Sequence, residues 1–240
     1  MAANLWDRLS PTWQACLDEA WRAYAAGSVP IGAIVTDGQG RIIGRGRNRI
    51  GDRALTLPHA GRVNGPARAV VAFHDLAHAE LNALLSLNYA HENATDADNP
   101  HRWVLYTTME PCPLCLGAFY MSGLRELHYA ARDPYAGSVN LLGTTPYLSR
   151  KPIRVVGPHP ELEIISAALS VEWSMVRESD NRSQFVRDHW RVVLPASVAL
   201  GERLFERQVI SELQARQASV SDMVARVAAE LVKLRNSRVV

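Results

Sequence analysis

The chain has 240 residues, 48% hydrophobic and 21% charged, with a net charge of +2; this is the composition of a globular protein with a real core and no global field for a polyanionic partner. Its 3 cysteines are too few, and odd in number, for a disulfide scaffold. No run approaches a membrane span, and "MAANLWDRLSPTWQACLDEAW" carries acids and tryptophans where a secretory signal needs an unbroken apolar stretch, so a soluble protein of the reducing cytoplasm is expected.

Residues 11–26 read as a helix, capped by Ser10, started by Pro11 and ended by Gly27. Trp13, Leu17, Ala20, Trp21 and Tyr24 share one face. "VPIGAIVTDGQGRIIGRGRN" reads as two antiparallel strands joined at Asp37-Gly38-Gln39-Gly40. Residues 49–77 are expected to be a loop leading into the start of a helix. That helix then runs through "AHAELNALLSL", with Leu81, Leu84 and Leu85 as its apolar stripe. "HENATDADNPH" is a polar loop and "RWVLYTTM" a buried strand. "EPCPLCLGAFYMSG" is a helix closed at Gly123, followed by strands at "RELHYAA" and "IRVVG". This alternation predicts an α/β domain with helices on both faces of one mixed sheet. Beyond it, "PELEIISAALSVEWSMVRE" is a helix, "SDNRSQ" a polar break, and residues 201–237 largely helical. Val220, Val224, Val227, Leu231 and Leu234 form a heptad-like stripe. It suits a terminal helix packed on its own domain, or, less simply, a dimer contact.

The chemistry lies in two short motifs. Cys112 and Cys115, in "EPCPLC", are three apart at the start of a helix and can face one ion. A catalytic zinc takes three protein ligands and keeps one position open. The third ligand is expected upstream in "HAE", from His78, with Glu80 close enough to move a proton but not to ligate. Each motif alone has a plainer explanation. The Cys pair could be a thioredoxin-like couple. A structural zinc site would need a fourth ligand, for which His74 is the nearby candidate. Cys16 stands alone and reads as a small buried apolar residue. The two motifs together, in this order, are the signature of zinc deaminases and favour the catalytic site.

At this point the chain resembles the cytidine deaminase superfamily, in the branch of tRNA adenosine deaminases and bacterial guanine deaminases. The resemblance is carried by "VPIGAIV" with "GRGRN", "HAELNAL", "YTTMEPCPLCLGA", "AARDPYAGSVNLL" and the helix that follows, in family order from Trp13 to Glu178. It implies a cytidine deaminase-like three-layer α/β/α fold with a five-strand mixed sheet, spanning residues 1–178. The insert 49–77 would lie near the active-site mouth, and 179–240 would form a C-terminal helical extension. It further implies one Zn²⁺ held by His78, Cys112 and Cys115, with Glu80 as proton shuttle. A water acidified from ~15.7 toward ~7 would attack the ring carbon bearing the amino group. Glu80 would protonate a ring nitrogen and then the leaving ammonia, and the Ala79 N–H would help hold the developing oxygen.

Substrate contacts are expected from Asn48, whose amide can donate and accept at a base edge, and from Asp133, whose carboxylate suits the N1–H and 2-amino donors of guanine. The plainer reading of each is a turn residue; for Asn48 the position that relatives give an asparagine against the base favours the substrate contact. Two features depart from tRNA deaminases: the long connection "RALTLPHAGRVNGPARAVVAFHD", and a tail whose Asp222 and Glu230 interleave its basic residues. Both favour a small free substrate, a purine-type nucleobase or nucleoside with a guanine-like ring, over a polynucleotide. Deamination of tRNA adenosine, deamination of cytidine or cytosine, and a non-catalytic zinc-stabilised module are the alternatives. Relatives imply a homodimer.

Overall fold

A computed structural model of the chain describes residues 4–52, 71–87 and 99–237. Most of the long connection before "HAE" (residues 53–70) and of the polar loop "HENATDADNPH" therefore lies outside the described residues. A short helix α1 (Leu5–Arg8) precedes α2 (Pro11–Ala25). The Ser10 hydroxyl accepts from the Trp13 N–H at 3.4 Å, Pro11 occupies the first turn, and Gly27 turns the chain away at φ 92°. All five residues of the expected apolar face are buried.

Strands β1 (Gly32–Thr36) and β2 (Ile42–Arg47) form the hairpin. Its turn is tied by the Asp37 carboxylate, which accepts from the Gln39 and Arg41 N–H groups, each at 2.9 Å. With β3 (Val104–Met109), β4 (Glu126–Ala131) and β5 (Arg154–Val156) they make one sheet in the order β2-β1-β3-β4-β5. β1 is antiparallel to β2 and β3, while β3, β4 and β5 run parallel.

Helices α3 (Ala79–Leu85) and α4 (Pro113–Met121) pack on one face with Ala33, Val35, Leu105 and Leu127. The other face, through Ile34 and Ala130, packs on α2 and α5 (Glu163–Arg177). Helix α3 begins later than the sequence suggests. Residues 71–78 are bends and turns, and the helix starts only after His78. The apolar run before it is spent on contacts to the chain leaving β2: Phe73 N–H donates to the Arg49 carbonyl at 3.1 Å, and Arg49 N–H donates to the Ala77 carbonyl at 2.8 Å. Of the leucine stripe, Leu84 is buried and Leu85 exposed, because so short a helix turns only one side to the sheet.

The expected break at "SDNRSQ" is the opening of a helix instead. Ser179 has the extended backbone of an N-cap and Asp180 begins α6 (Asp180–Val193), where an acid suits the positive end of the helix dipole. Then come α7 (Pro195–Glu206), α8 (Val209–Ala215) and α9 (Val220–Asn236). The tail shares the core of the domain. Leu200, Leu204, Ile210, Leu213, Val224 and Val227 join the cluster built around Trp13, Leu17 and Leu169. Trp190 and Leu194 pack with Met109 and Ala131 at the ends of β3 and β4. The stripe on α9 lies against its own chain, Val224 and Val227 fully and Val220, Leu231 and Leu234 in part.

Candidate active site

Two helix N-termini deliver the site. His78 is the N-cap of α3 and Cys112 the N-cap of α4, and Cys115 follows in the first turn of α4. Gly46 makes the approach of α3 possible. A Cβ there would stand 2.2 Å from both the Ala79 carbonyl oxygen and the Ala83 nitrogen, so only a hydrogen lets α3 settle on β2.

His78 Nδ1 lies 3.5 Å from Cys112 Sγ and 3.4 Å from Cys115 Sγ. All three ligand atoms fall within 4.8 Å of one another. For Zn–S of about 2.3 Å and Zn–N of about 2.0–2.1 Å, tetrahedral angles separate N from S by about 3.5–3.6 Å. The sulfur and nitrogen donors therefore fit a zinc ion with three protein ligands. Among the described residues, these three form the metal-competent group. His74 is exposed and accepts from the Leu76 N–H through its Nδ1, at 3.1 Å, outside that group. Cys16 is fully buried on α2, as a small apolar residue would be.

Glu80 is buried beside the trio. The Thr107 hydroxyl donates to its Oε1 at 2.9 Å, and the Cys115 thiol donates to its Oε2 at 3.3 Å. Burial raises its pKa, which suits a group that must both take and give a proton. The hydrogen bond from the Cys115 thiol, with His78 assisting, holds Cys112 down at about 4. The same bond, followed by burial, pushes Cys115 up, and the bond to Cys112 raises His78.

Ala79 is the buried first residue of α3, so its N–H is one of the amides left without an intrahelical partner. Asn48 is buried at the end of β2, where its Oδ1 accepts from the Ile50 N–H at 3.1 Å. The Asp133 Oδ1 accepts from the Tyr135 and Ala136 N–H groups, each at 3.0 Å. Burial raises its pKa, and its backbone N–H donates to Glu110, two residues before Cys112, which places the loop beside the start of α4.

Three further residues hold the site and escaped the sequence reading. Thr107 fixes Glu80. Glu110 accepts from the Asp133 N–H through Oε2 and from the Val139 N–H through Oε1, each at 3.3 Å. The Asn82 side chain accepts from the Val71 N–H at 2.8 Å and donates to the Val71 and Arg47 carbonyls at 3.0 and 3.2 Å. The sequence signal was only a run of polar residues at otherwise buried positions.

Three ligands for zinc with a buried, non-ligating glutamate beside them make the site of a zinc hydrolase of the deaminase class. A family model described as the cytidine and deoxycytidylate deaminase zinc-binding region matches residues 8–131, and the chain belongs to this family. It is 34% identical over 113 residues to a tRNA(Ile)-lysidine synthase from Deinococcus radiodurans, covering 46% of this chain and 15% of that protein. A tRNA-specific adenosine deaminase from Haemophilus influenzae is 30% identical over 128 residues, covering 51% of this chain and 58% of the relative. A cytosine deaminase from Candida albicans is 27% identical over 132 residues, covering 54% and 70%. The chain thus spans less than two thirds of the first two of these relatives. Among solved structures, a guanine deaminase from Nitrosomonas europaea is similar at 24% identity and a TM-score of 0.45, over 69% of this chain and 85% of that one. No helix among the described residues is long and apolar enough to cross a membrane.

Proposed function

We propose that the chain hydrolyses the amino group from a free purine-type nucleobase or nucleoside, with a guanine-like ring favoured, and releases ammonia. The observation that carries the reading is the buried Glu80 carboxylate, held by the Thr107 hydroxyl next to the three ligand atoms. A structural metal site has no use for such a group.

His78, Cys112 and Cys115 would hold the zinc. Bound there, the metal supplies the Lewis acidity that makes water a nucleophile near neutral pH. The chain's own residues do the rest. Glu80 takes one proton from the attacking water and gives it to a ring nitrogen; it then takes the second proton from the added hydroxyl as that oxygen becomes a carbonyl, and gives it to the departing amine. Thr107 keeps the carboxylate oriented through the bond to Oε1. The Ala79 N–H donates to the developing oxygen, and Asn48 and Asp133 contact the ring. Asp133 supports the guanine-like preference, because a carboxylate accepts from an N1–H and 2-amino pair that adenine lacks. The same reading carries a small-molecule partner, a homodimer and a cytoplasmic setting.

The similarity to the Haemophilus influenzae enzyme favours a second reading, deamination of adenosine in tRNA. Both are decided by incubating the zinc-loaded protein with guanine, guanosine, adenosine, cytidine, cytosine and an anticodon stem-loop. Ammonia from guanine or guanosine is the expected result. Inosine formed only in the stem-loop would move the assignment to tRNA, ammonia only from cytidine or cytosine would move it to pyrimidines, and silence on all six would overturn the reading.

A further inference from the structure

We infer that α6 sets the geometry of the substrate-reading loop: Phe185 and His189 clasp Tyr135 and so fix the Asp133 carboxyl at the site. The inference rests on the proposed contact between Asp133 and the substrate.

The loop after β4 is tied at its base. Glu110 accepts from the Asp133 and Val139 amides, and the Ser138 N–H donates to the Pro111 carbonyl at 3.0 Å. The segment just before Cys112 thus holds both ends of residues 133–139. Between those ties stands Tyr135, whose N–H is one of the two donors to the Asp133 carboxyl. The residue is 62% exposed, and a ring so placed would swing freely if nothing held it.

Its holder is α6. The Tyr135 ring meets Phe185 edge-on at 5.1 Å and 88°, and His189 at 5.6 Å and 73°. Phe185 and His189 are one turn apart, with ring centroids 4.0 Å from each other. His189 Nδ1 lies 2.9 Å from the Phe185 carbonyl. A carbonyl only accepts, so Nδ1 carries the hydrogen and the imidazole is held in place. The helix beneath these rings is anchored by Trp190 and Leu194 against Met109 and Ala131. Those two residues immediately precede Glu110 and Arg132, so α6 and the loop are referenced to the same two strand ends.

The family match ends at residue 131. The metal-binding part of the site lies inside it, while Asp133, Tyr135, Phe185 and His189 all lie beyond. The clasp is therefore a place where this chain can tune which ring it accepts without disturbing zinc.

The test is Phe185→Ala in the zinc-loaded full chain, with amide exchange followed residue by residue by NMR. Phe185 is itself 42% exposed, so the variant keeps its fold. Exchange at Tyr135 and Ala136 is expected to rise by about tenfold, with α4 amides and zinc content unchanged and Phe185→Tyr restoring the slow rate. With a substrate in hand, KM is expected to rise roughly 3–10-fold while kcat stays within about twofold, the size of one lost aromatic pair. Unchanged exchange at Tyr135 and Ala136 would overturn the inference, as would a fall in kcat without a rise in KM. A wild-type chain inert on every substrate would sink the proposed function alone. The exchange rates at Tyr135 and Ala136 would still decide the clasp.

Discussion

On one face of the sheet α3 lies so close to β2 that Gly46 has backbone atoms 2.2 Å from where a Cβ would stand, and the buried groups there include Glu80, Asn82 and Thr107, each hydrogen-bonded. On the other face α2 and α5 are themselves covered by α7 and α9, and the contact is made by Trp13, Leu17, Ile165, Leu169, Leu200 and Leu204. The first face is set by backbone approach and directed polar bonds, which fix atoms in place. The second is set by apolar area, which supplies stability without asking for one geometry. Chemistry sits on the first face because zinc needs its donors placed to within a few tenths of an ångström.

This contrast can be broken from either side. The largest effect is expected from Glu80→Ala, which should lower turnover by about 10²–10⁴-fold while zinc content, measured by atomic absorption, is unchanged. Loss of zinc along with activity would make Glu80 a ligand instead. On the opposite face Leu169→Ala should cost about 2–5 kcal/mol of stability in a urea titration and leave zinc affinity as it was. Gly46→Ala should do the reverse in kind: about 3 kcal/mol of overpacking, with zinc affinity falling because α3 must lift off β2.

The smallest effect concerns Glu172, a charge-bearing group on the apolar face that accepts from the Tyr24 hydroxyl at 2.7 Å. Burial raises it from 4.5 to about 7. The folded chain therefore holds this proton through a pH range in which the unfolded chain has lost it. Its contribution is present below pH 4.5 and disappears as pH rises through about 7. Glu172→Gln should flatten that decline, recovering up to about 2–3 kcal/mol at pH 8. Parallel stability–pH curves for wild type and variant would refute it.

What could be read from the sequence follows the same division. Helix α2 was legible because its cap, its first proline, its apolar face and its closing glycine are all local signals. The trio of His78, Cys112 and Cys115 was legible because spacing and order carry the motif. Helix α6 was missed because Ser179, Asp180 and Asn181 read as a break by composition, yet such residues also open helices. Thr107, Glu110 and Asn82 were missed because their partners are far along the chain: Thr107 meets Glu80 across 27 positions and Glu110 meets Val139 across 29. No local pattern marks a threonine as the support of a glutamate.

The Asn82 amide has a consequence for how His78 keeps its place. It pairs with both the N–H and the carbonyl of Val71, as a neighbouring strand would. At the other end of the interval, Asp52 is gripped by Arg47 at 2.6 and 2.8 Å, by Arg49 and by Ser28. The chain between Asp52 and Val71 is thus moored at two fixed posts, and neither post is a metal ligand. Each post is fixed by bonds of its own, so His78 keeps its place through the contacts of residues 71–78 with Arg49 and Asn82.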